Sequence, residues 1–225
     1  MAKSEFVKRL DEIQAAVSIN LKPLSFRKKG RSYNRKTTEL IQVINFQMGN
    51  YPIGDYVIPG IRESSYGQLA INLGVLLPCV YRVEWQKNVP DFCQESNCTI
   101  RERVGSLAYG RDKWFDLTDG LSSLSNEVVR AINEFGIPFL NQFQDYDSVL
   151  DYYYSRGRLP FQNEGRASLE AAIIEDHLAN SSAAKQLFVK AALTSHKGFR
   201  NYVIEIAKQL GYEIPEIDEM EGAVM

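Results

Sequence analysis

Long hydrophobic runs are missing from this chain of 225 residues. The longest uncharged apolar stretch, Leu69 to Tyr81, is broken by Asn72, Gly74 and Pro78 and is too short to cross a bilayer. The N-terminal residues MAKSEFVKRLDEIQ lack the apolar segment of a secretory signal, so a cytoplasmic protein is expected. Histidine is scarce: His177 and His196 are the two present, and neither has the spacing of a metal-binding pair. Cys79, Cys93 and Cys98 form an odd set in a chain without an export signal and read as free thiols. A zinc site on Cys93 and Cys98 would need a histidine from far along the chain, so no metal and no cofactor is expected. Neither a Gly-x-Ser-x-Gly elbow nor a phosphate-cradling glycine loop occurs, and catalysis is not expected on that ground. Glu175, Asp176 and His177 place two acids beside a histidine and read as the solvated end of a helix.

What is present is an ordinary globular composition, 44% hydrophobic and 24% charged, with a net charge of −2. The charge is uneven. Residues 1–118 hold 17 Lys and Arg against 12 Asp and Glu, whereas residues 119–225 hold 9 against 16. Phe6, Leu10, Ile13 and Val17 recur at helical spacing over 3–17, with Ser4 as a capping residue and Pro23 as a break. Ser25–Lys29 and Ser32–Arg35 flank Gly30 as a hairpin. Glu39–Gln47 and Gln68–Leu77 alternate as strands, and Cys98–Val104 reads as a further strand. Residues 49–65 and 84–97 read as loops. From Leu121 the period changes to about 3.6, with a stripe of Leu124, Val128, Ala131, Ile132 and Phe135 closed by Gly136 and Pro138. Val149–Ser155, Leu169–Ala179, Ala183–Leu193 and Phe199–Leu210 follow as helices. The fold class expected is α+β, an antiparallel or mixed sheet with an N-terminal helix followed by a C-terminal helical bundle. Its division is a sheet region over 1–118, a helical region over 119–215 and a frayed acidic tail over 216–225.

Four stretches carry a resemblance: FRKKGRSYNRKTTELIQVINFQ (Phe26–Gln47), INLGVLLP (Ile71–Pro78), CTIRERVGSL (Cys98–Leu107) and KWFDL (Lys113–Leu117). Over about residues 5–145 the chain resembles a bacterial family known as domain of unknown function 4304. The resemblance implies a bacterial cytoplasmic protein, similar to small α+β proteins associated with toxin and defence systems. It supplies no catalytic or binding residue.

Three groups of residues can carry function. Arg27, Lys28, Lys29, Arg31, Arg35 and Lys36 form a basic run with Tyr33 among them, suited to phosphates and a stacked base. The same cations suit the guarded edge of a sheet. Asn45, Gln47, Asn72, Arg101 and Arg103 make a polar sheet face if their strands are neighbours, able to hold a carboxylate, a phosphate or a partner's backbone. Otherwise Arg101 and Arg103 pair with surface carboxylates such as Glu63 or Glu84. Tyr51, Tyr56, Tyr66 and Trp85, with Tyr81 and Phe92, place aromatic anchors in and beside the loops. The leading expectation is a non-enzymatic protein-binding module of immunity or defence type, its partner another protein such as a toxin. The alternatives are a nucleic-acid-associated factor using residues 27–36 and an enzyme with a polar cleft around Arg101 and Arg103.

Overall fold

A computed structural model describes residues 4–49 and 65–214. The Ser4 hydroxyl accepts the Val7 N–H, which starts helix α1 (Glu5–Leu21) where the capping signal lies. The helix runs a turn beyond the expected 3–17, because Pro23 enters a following 3-10 turn (Lys22–Leu24) at a position that needs no N–H. Leu10, Ile13, Val17 and Leu21 are its buried stripe.

Ser25, left-handed at φ 66, turns the chain into strand β1 (Arg27–Lys29). Gly30 at φ 61 opens a two-residue turn to β2 (Ser32–Lys36), a conformation that glycine adopts without strain. β3 (Ile41–Met48), β4 (Gln68–Leu76), β5 (Ile100–Arg103) and β6 (Phe115–Asp116) complete an open antiparallel sheet ordered β1-β2-β3-β4-β5, with β6 beside the start of β4. The remaining helices are α2 (Pro78–Trp85), α3 (Val104–Tyr109), α4 (Leu121–Ala131), α5 (Ile137–Leu140), α6 (Tyr146–Arg156), α7 (Glu164–His177), α8 (Ser181–Leu193) and α9 (Lys197–Gln209). The α+β class, with its N-terminal helix, antiparallel sheet and C-terminal helices, is therefore as expected.

The chain forms two compact units. The first holds residues 1–76 and 91–142, the second residues 77–90 and 143–225. The division expected at residue 119 lies inside the first unit, between β6 and α4.

Within the first unit, Tyr33, Gln42, Ile44, Phe46 and Leu73 share one sheet face. The Tyr33 hydroxyl donates to the Gln14 carbonyl of α1 at 2.9 Å, and Gln42 Nε2 donates to the Leu140 carbonyl at 2.7 Å. That face is thus roofed by α1 and by the helix ending at Leu140. The sequence predicts a stop at Gly136 and Pro138 with Phe139, Leu140 and Phe143 continuing the stripe after a kink, and the helix does continue, through a widened turn rather than a break. A π-turn (Ile132–Gly136) joins α4 to α5 with helical backbone throughout, and the Ile137 N–H reaches the Ile132 carbonyl. The wider turn accommodates the proline ring that would break a regular helix. The extra residue also rotates Phe135 off the buried stripe, leaving it 38% exposed.

On the opposite face Gly74 lies across from Val43 and Arg101. A Cβ there would lie 2.5 Å from Cys98 Sγ and 2.8 Å from Cys98 Cβ, so the 3-10 turn Glu95–Asn97 and Cys98 can sit close only over glycine. Gly74→Ala is expected to cost about 1–3 kcal/mol through overpacking, read as a lowered melting temperature.

In the second unit, α2 begins with Pro78 at its first position and carries Cys79, Val80 and Tyr81 into the core. The sequence pattern assigns nothing to residues 78–83 and predicts a loop from residue 84. Eight residues are too few for a periodic signal, and the helix is held by later residues: the Cys79 N–H donates to Tyr146 Oη at 3.0 Å, and Glu84 pairs with Arg166 at 2.6 Å.

A basic cleft at the sheet edge as candidate functional site

β1 is the outer strand of the sheet, and Arg27, Lys28 and Lys29 on it are all exposed. Residues facing each other across the β1–β2 ladder share a side, so Lys28 goes with Tyr33, and Arg27 with Asn34. A cleft of about 970 Å³ opens at this edge and is lined from both sides. Ser18, Lys22, Ser25, Lys28 and Tyr33 contribute from the side of α1 and the turn after it. Arg27, Asn34, Lys36, Asp91 and Phe92 contribute from the other, and Phe26 adds a third ring. Four cations thus meet one carboxylate, Asp91. Among the described residues none of Lys22, Arg27, Lys28 and Lys36 has an ion-pair partner.

The walls are fixed by specific bonds. The Tyr33 and Ser18 hydroxyls lie 2.9 Å apart, and each reaches the Gln14 carbonyl. Burial raises the Tyr33 phenol above its ordinary value against the lowering effect of Ser18, so it remains a neutral donor. The Asn34 amide donates to the Cys93 carbonyl at 3.0 Å and accepts the Cys93 N–H at 2.6 Å. That pair of bonds copies one rung of a β-ladder and pins the strip Asp91–Cys93 against β2. Burial pushes the Cys93 thiol up to about 11, with Lys36 pulling the other way, so it carries no thiolate at neutral pH. Among the described residues the cleft offers cations, hydroxyls, rings and one carboxylate.

The basic run is divided by the structure. Lys28, Arg27 and Lys36 enter the cleft, Lys29 lies over the Phe92 ring at 5.9 Å, and Arg31 is exposed in the turn. Arg35 points elsewhere: it stacks on Phe26 at 4.7 Å and donates to Gln42 Oε1 and Asn141 Oδ1, each at 2.7 Å. Burial lowers its guanidinium from the ordinary value.

The polar sheet face does assemble. Ser32, Asn45, Asn72 and Arg103 fall in one row across β2, β3, β4 and β5. Its polar groups bond to one another: Asn45 Nδ2 donates to Ser32 Oγ at 2.9 Å, and Asn72 Nδ2 donates to Gln47 Oε1 at 2.9 Å. Ser32 in turn donates to Gln94 Oε1 at 3.0 Å. Arg101 pairs with Glu95 and Arg103 with Asp112, with Arg103 also lying over Trp114 at 5.2 Å. Both arginines thus pair with carboxylates, as the second reading of this face expects, although Glu84 is committed to Arg166 and Glu63 lies outside the described residues.

Of the aromatic set, Tyr51 and Tyr56 lie outside the described residues. Tyr66 is 65% exposed and meets Phe6 edge-on at 5.4 Å in the first unit. Trp85 belongs to the second unit, where it stacks on Tyr81 at 6.1 Å. Ser18, Lys22, Ser25, Phe26 and Asp91 are cleft residues that sequence reasoning missed. They are ordinary residues in separate segments, so no local pattern marks them.

The second unit buries its own charges. Arg166 holds Glu84 at 2.6 Å and Glu170 at 2.7 Å, and Gln162 Nε2 donates to Glu170 at 2.6 Å. Glu175 is also buried, accepting from Tyr154 at 2.5 Å and Asn180 at 2.8 Å, which corrects its reading as part of a solvated helix end. Among the described residues no three His, Cys, Asp or Glu side chains gather in a way that could hold a metal ion. No helix among them is long and apolar enough to cross a membrane.

Fold and cleft together define an α+β protein with a cation-lined cleft at its sheet edge. The chain belongs to the family described as domain of unknown function DUF4304, whose model matches residues 17–142. No curated protein and no solved structure matches it.

Proposed function

We propose that this protein is a binding module whose cleft at the β1 edge holds a phosphate-bearing ligand. The observation that carries this reading is the set of four cations without ion-pair partners among the described residues, gathered with three rings around one open cleft. The unit that contains it holds 16 Lys and Arg against 14 Asp and Glu, while the other holds 10 against 14. A local excess of positive charge in a low-dielectric recess concentrates anions more than the chain's net charge suggests. Tripolyphosphate at a hundred times its dissociation constant is expected to stabilise the wild-type protein by about 2.7 kcal/mol against unfolding. The Lys28→Glu, Lys36→Glu double variant is expected to lose that shift while keeping its unliganded stability. Equal stabilisation of both proteins would sink the reading.

A second reading is the protein-binding one, of immunity or defence type, and Tyr66 gives it an exposed aromatic anchor. The sheet-face amides favour it less, because they already bond to one another. It calls for a pull-down in which the wild-type protein retains a partner encoded nearby at micromolar concentration and Tyr66→Ala does not.

A further inference from the structure

We infer that the ligand of the cleft is a single-stranded nucleic acid, an inference that rests on the phosphate-binding reading above. Three observations favour a chain over an isolated phosphate group. The cations exceed what one phosphate needs, and they continue out of the cleft through Lys29 and the exposed Arg31 at the turn. The cleft straddles the edge strand, with Lys28 on one side of it and Arg27 on the other, so an occupant crosses β1 rather than ending in a closed pocket. At about 970 Å³ it is also at the upper end of the volumes found for sites of small molecules.

Phe92 distinguishes a nucleic acid from other polyanions. Tyr33 and Phe26 are buried, at 1% and 5% exposure, and serve as walls. Phe92 is half-buried, lines the cleft, and has the Lys29 ammonium over its ring, which sets a stacking surface beside a phosphate ligand group. A ring flanked by cations is how proteins hold unpaired bases without reading their sequence. A duplex keeps its bases stacked inside, so it could use the cations and not the ring.

The structure also accounts for how Phe92 is placed. Asn34 fixes the adjacent residue Cys93 by two bonds, so the ring is presented from a strip pinned to the sheet. Asp91 at the same strip opposes binding of an anion at its own position and favours phosphates on the side of Lys22 and Lys28.

The test is fluorescence anisotropy on the full chain with labelled twelve-nucleotide oligo-dT and oligo-U, a duplex of equal length, and poly-glutamate as competitor. Both single strands are expected to bind, with log affinity falling against log salt at a slope of about −3 for four phosphates neutralised. Lys28→Glu with Lys36→Glu is expected to weaken binding and flatten the slope. Phe92→Ala is expected to weaken the single strands about 5- to 150-fold with the slope unchanged, and Phe92→Trp to restore them. Rescue by tryptophan separates loss of stacking from loss of the strip's structure. Binding of tripolyphosphate without binding of either single strand would overturn this inference and leave the phosphate-binding reading standing. Failure of every anion would overturn both. Duplex binding as tight as that of single strands, or full displacement by poly-glutamate at matched charge, would overturn the nucleic-acid assignment.

Discussion

Arg166→Met is expected to unfold the second unit under conditions where the wild-type protein is intact. Arg166 bridges the Glu84 and Glu170 carboxylates, whose side chains are 8% and 1% exposed. Glu84 Oε1 is buried with no hydrogen-bond partner among the described residues, so the guanidinium is the principal compensation for that charge. Removing one partner of a buried ion pair costs about 3–5 kcal/mol, because the remaining charge is left in a poorly solvating interior. A domain stabilised by about 5–15 kcal/mol has little margin for such a loss. Urea denaturation followed by circular dichroism gives the difference directly. Adding Glu84→Gln to Arg166→Met is expected to recover part of it, and a double variant no more stable than the single one would remove the electrostatic explanation.

The same cluster predicts a pH dependence. Burial pushes the Glu170 carboxyl up from 4.5 to about 8, with Arg166 pulling it down and Glu84 pushing it further up. An acid whose folded value lies above its unfolded one keeps its proton on folding, so stability is greatest below the unfolded value and declines as pH rises towards the folded one. The window is about pH 4.5 to 8, with a limiting slope of about 1.4 kcal/mol per pH unit from this group. Urea midpoints measured at pH 5 and pH 8 are expected to differ in the wild-type protein and to converge in Glu170→Gln.

Asn34→Leu is expected to lose about 2–3 kcal/mol and to detach the strip at Asp91–Cys93. Asn34 is 7% exposed and supplies both a donor and an acceptor to one peptide unit 59 residues away, so the substitution removes two hydrogen bonds from a buried place. Asn34→Asp keeps the acceptor for the Cys93 N–H and is expected to fall between the two. Hydrogen exchange at the Cys93 amide reads the detachment locally, and unchanged protection in Asn34→Leu would show that the strip is held by other means. In the binding assay Asn34→Leu should resemble Phe92→Ala, since both take the ring from its place.

How much of this was legible in the sequence follows from the range of each interaction. β3 and β4 declare themselves because one face is apolar at every second residue, and Gly30 marks a hairpin because its turn needs a positive φ. Ser4 caps α1 as its position suggests. The π-turn at Ile132–Gly136 escapes notice because it widens the helix without changing its composition, and a glycine followed by a proline ordinarily ends one. Helix α2 escapes because its pairing residues, Tyr146 and Arg166, come much later in the chain. The basic run was visible as charge, but its standing was not. Whether a cation guards an edge or lines a recess depends on what stands opposite it, and Asp91 and Phe92 return to β2 through a bond that spans 59 residues. Arg35 shows the converse, a basic residue in the run that is spent on Phe26, Gln42 and Asn141.

The path of the chain between its two units bears on its synthesis. Glu84 leaves the ribosome 82 residues before the arginine that neutralises it. At about 5–20 residues per second, that is a wait of roughly 4–16 seconds. During it the emerging polypeptide carries α2 with a carboxylate whose buried partner is not yet made. The sheet-bearing unit has all its residues once Gln142 is translated, but residues 77–90 inside its span stay unclaimed until the following helices appear. The nascent chain therefore has a defined interval of vulnerability to chaperones and proteases, set by where Arg166 falls in the message rather than by the stability of the finished protein.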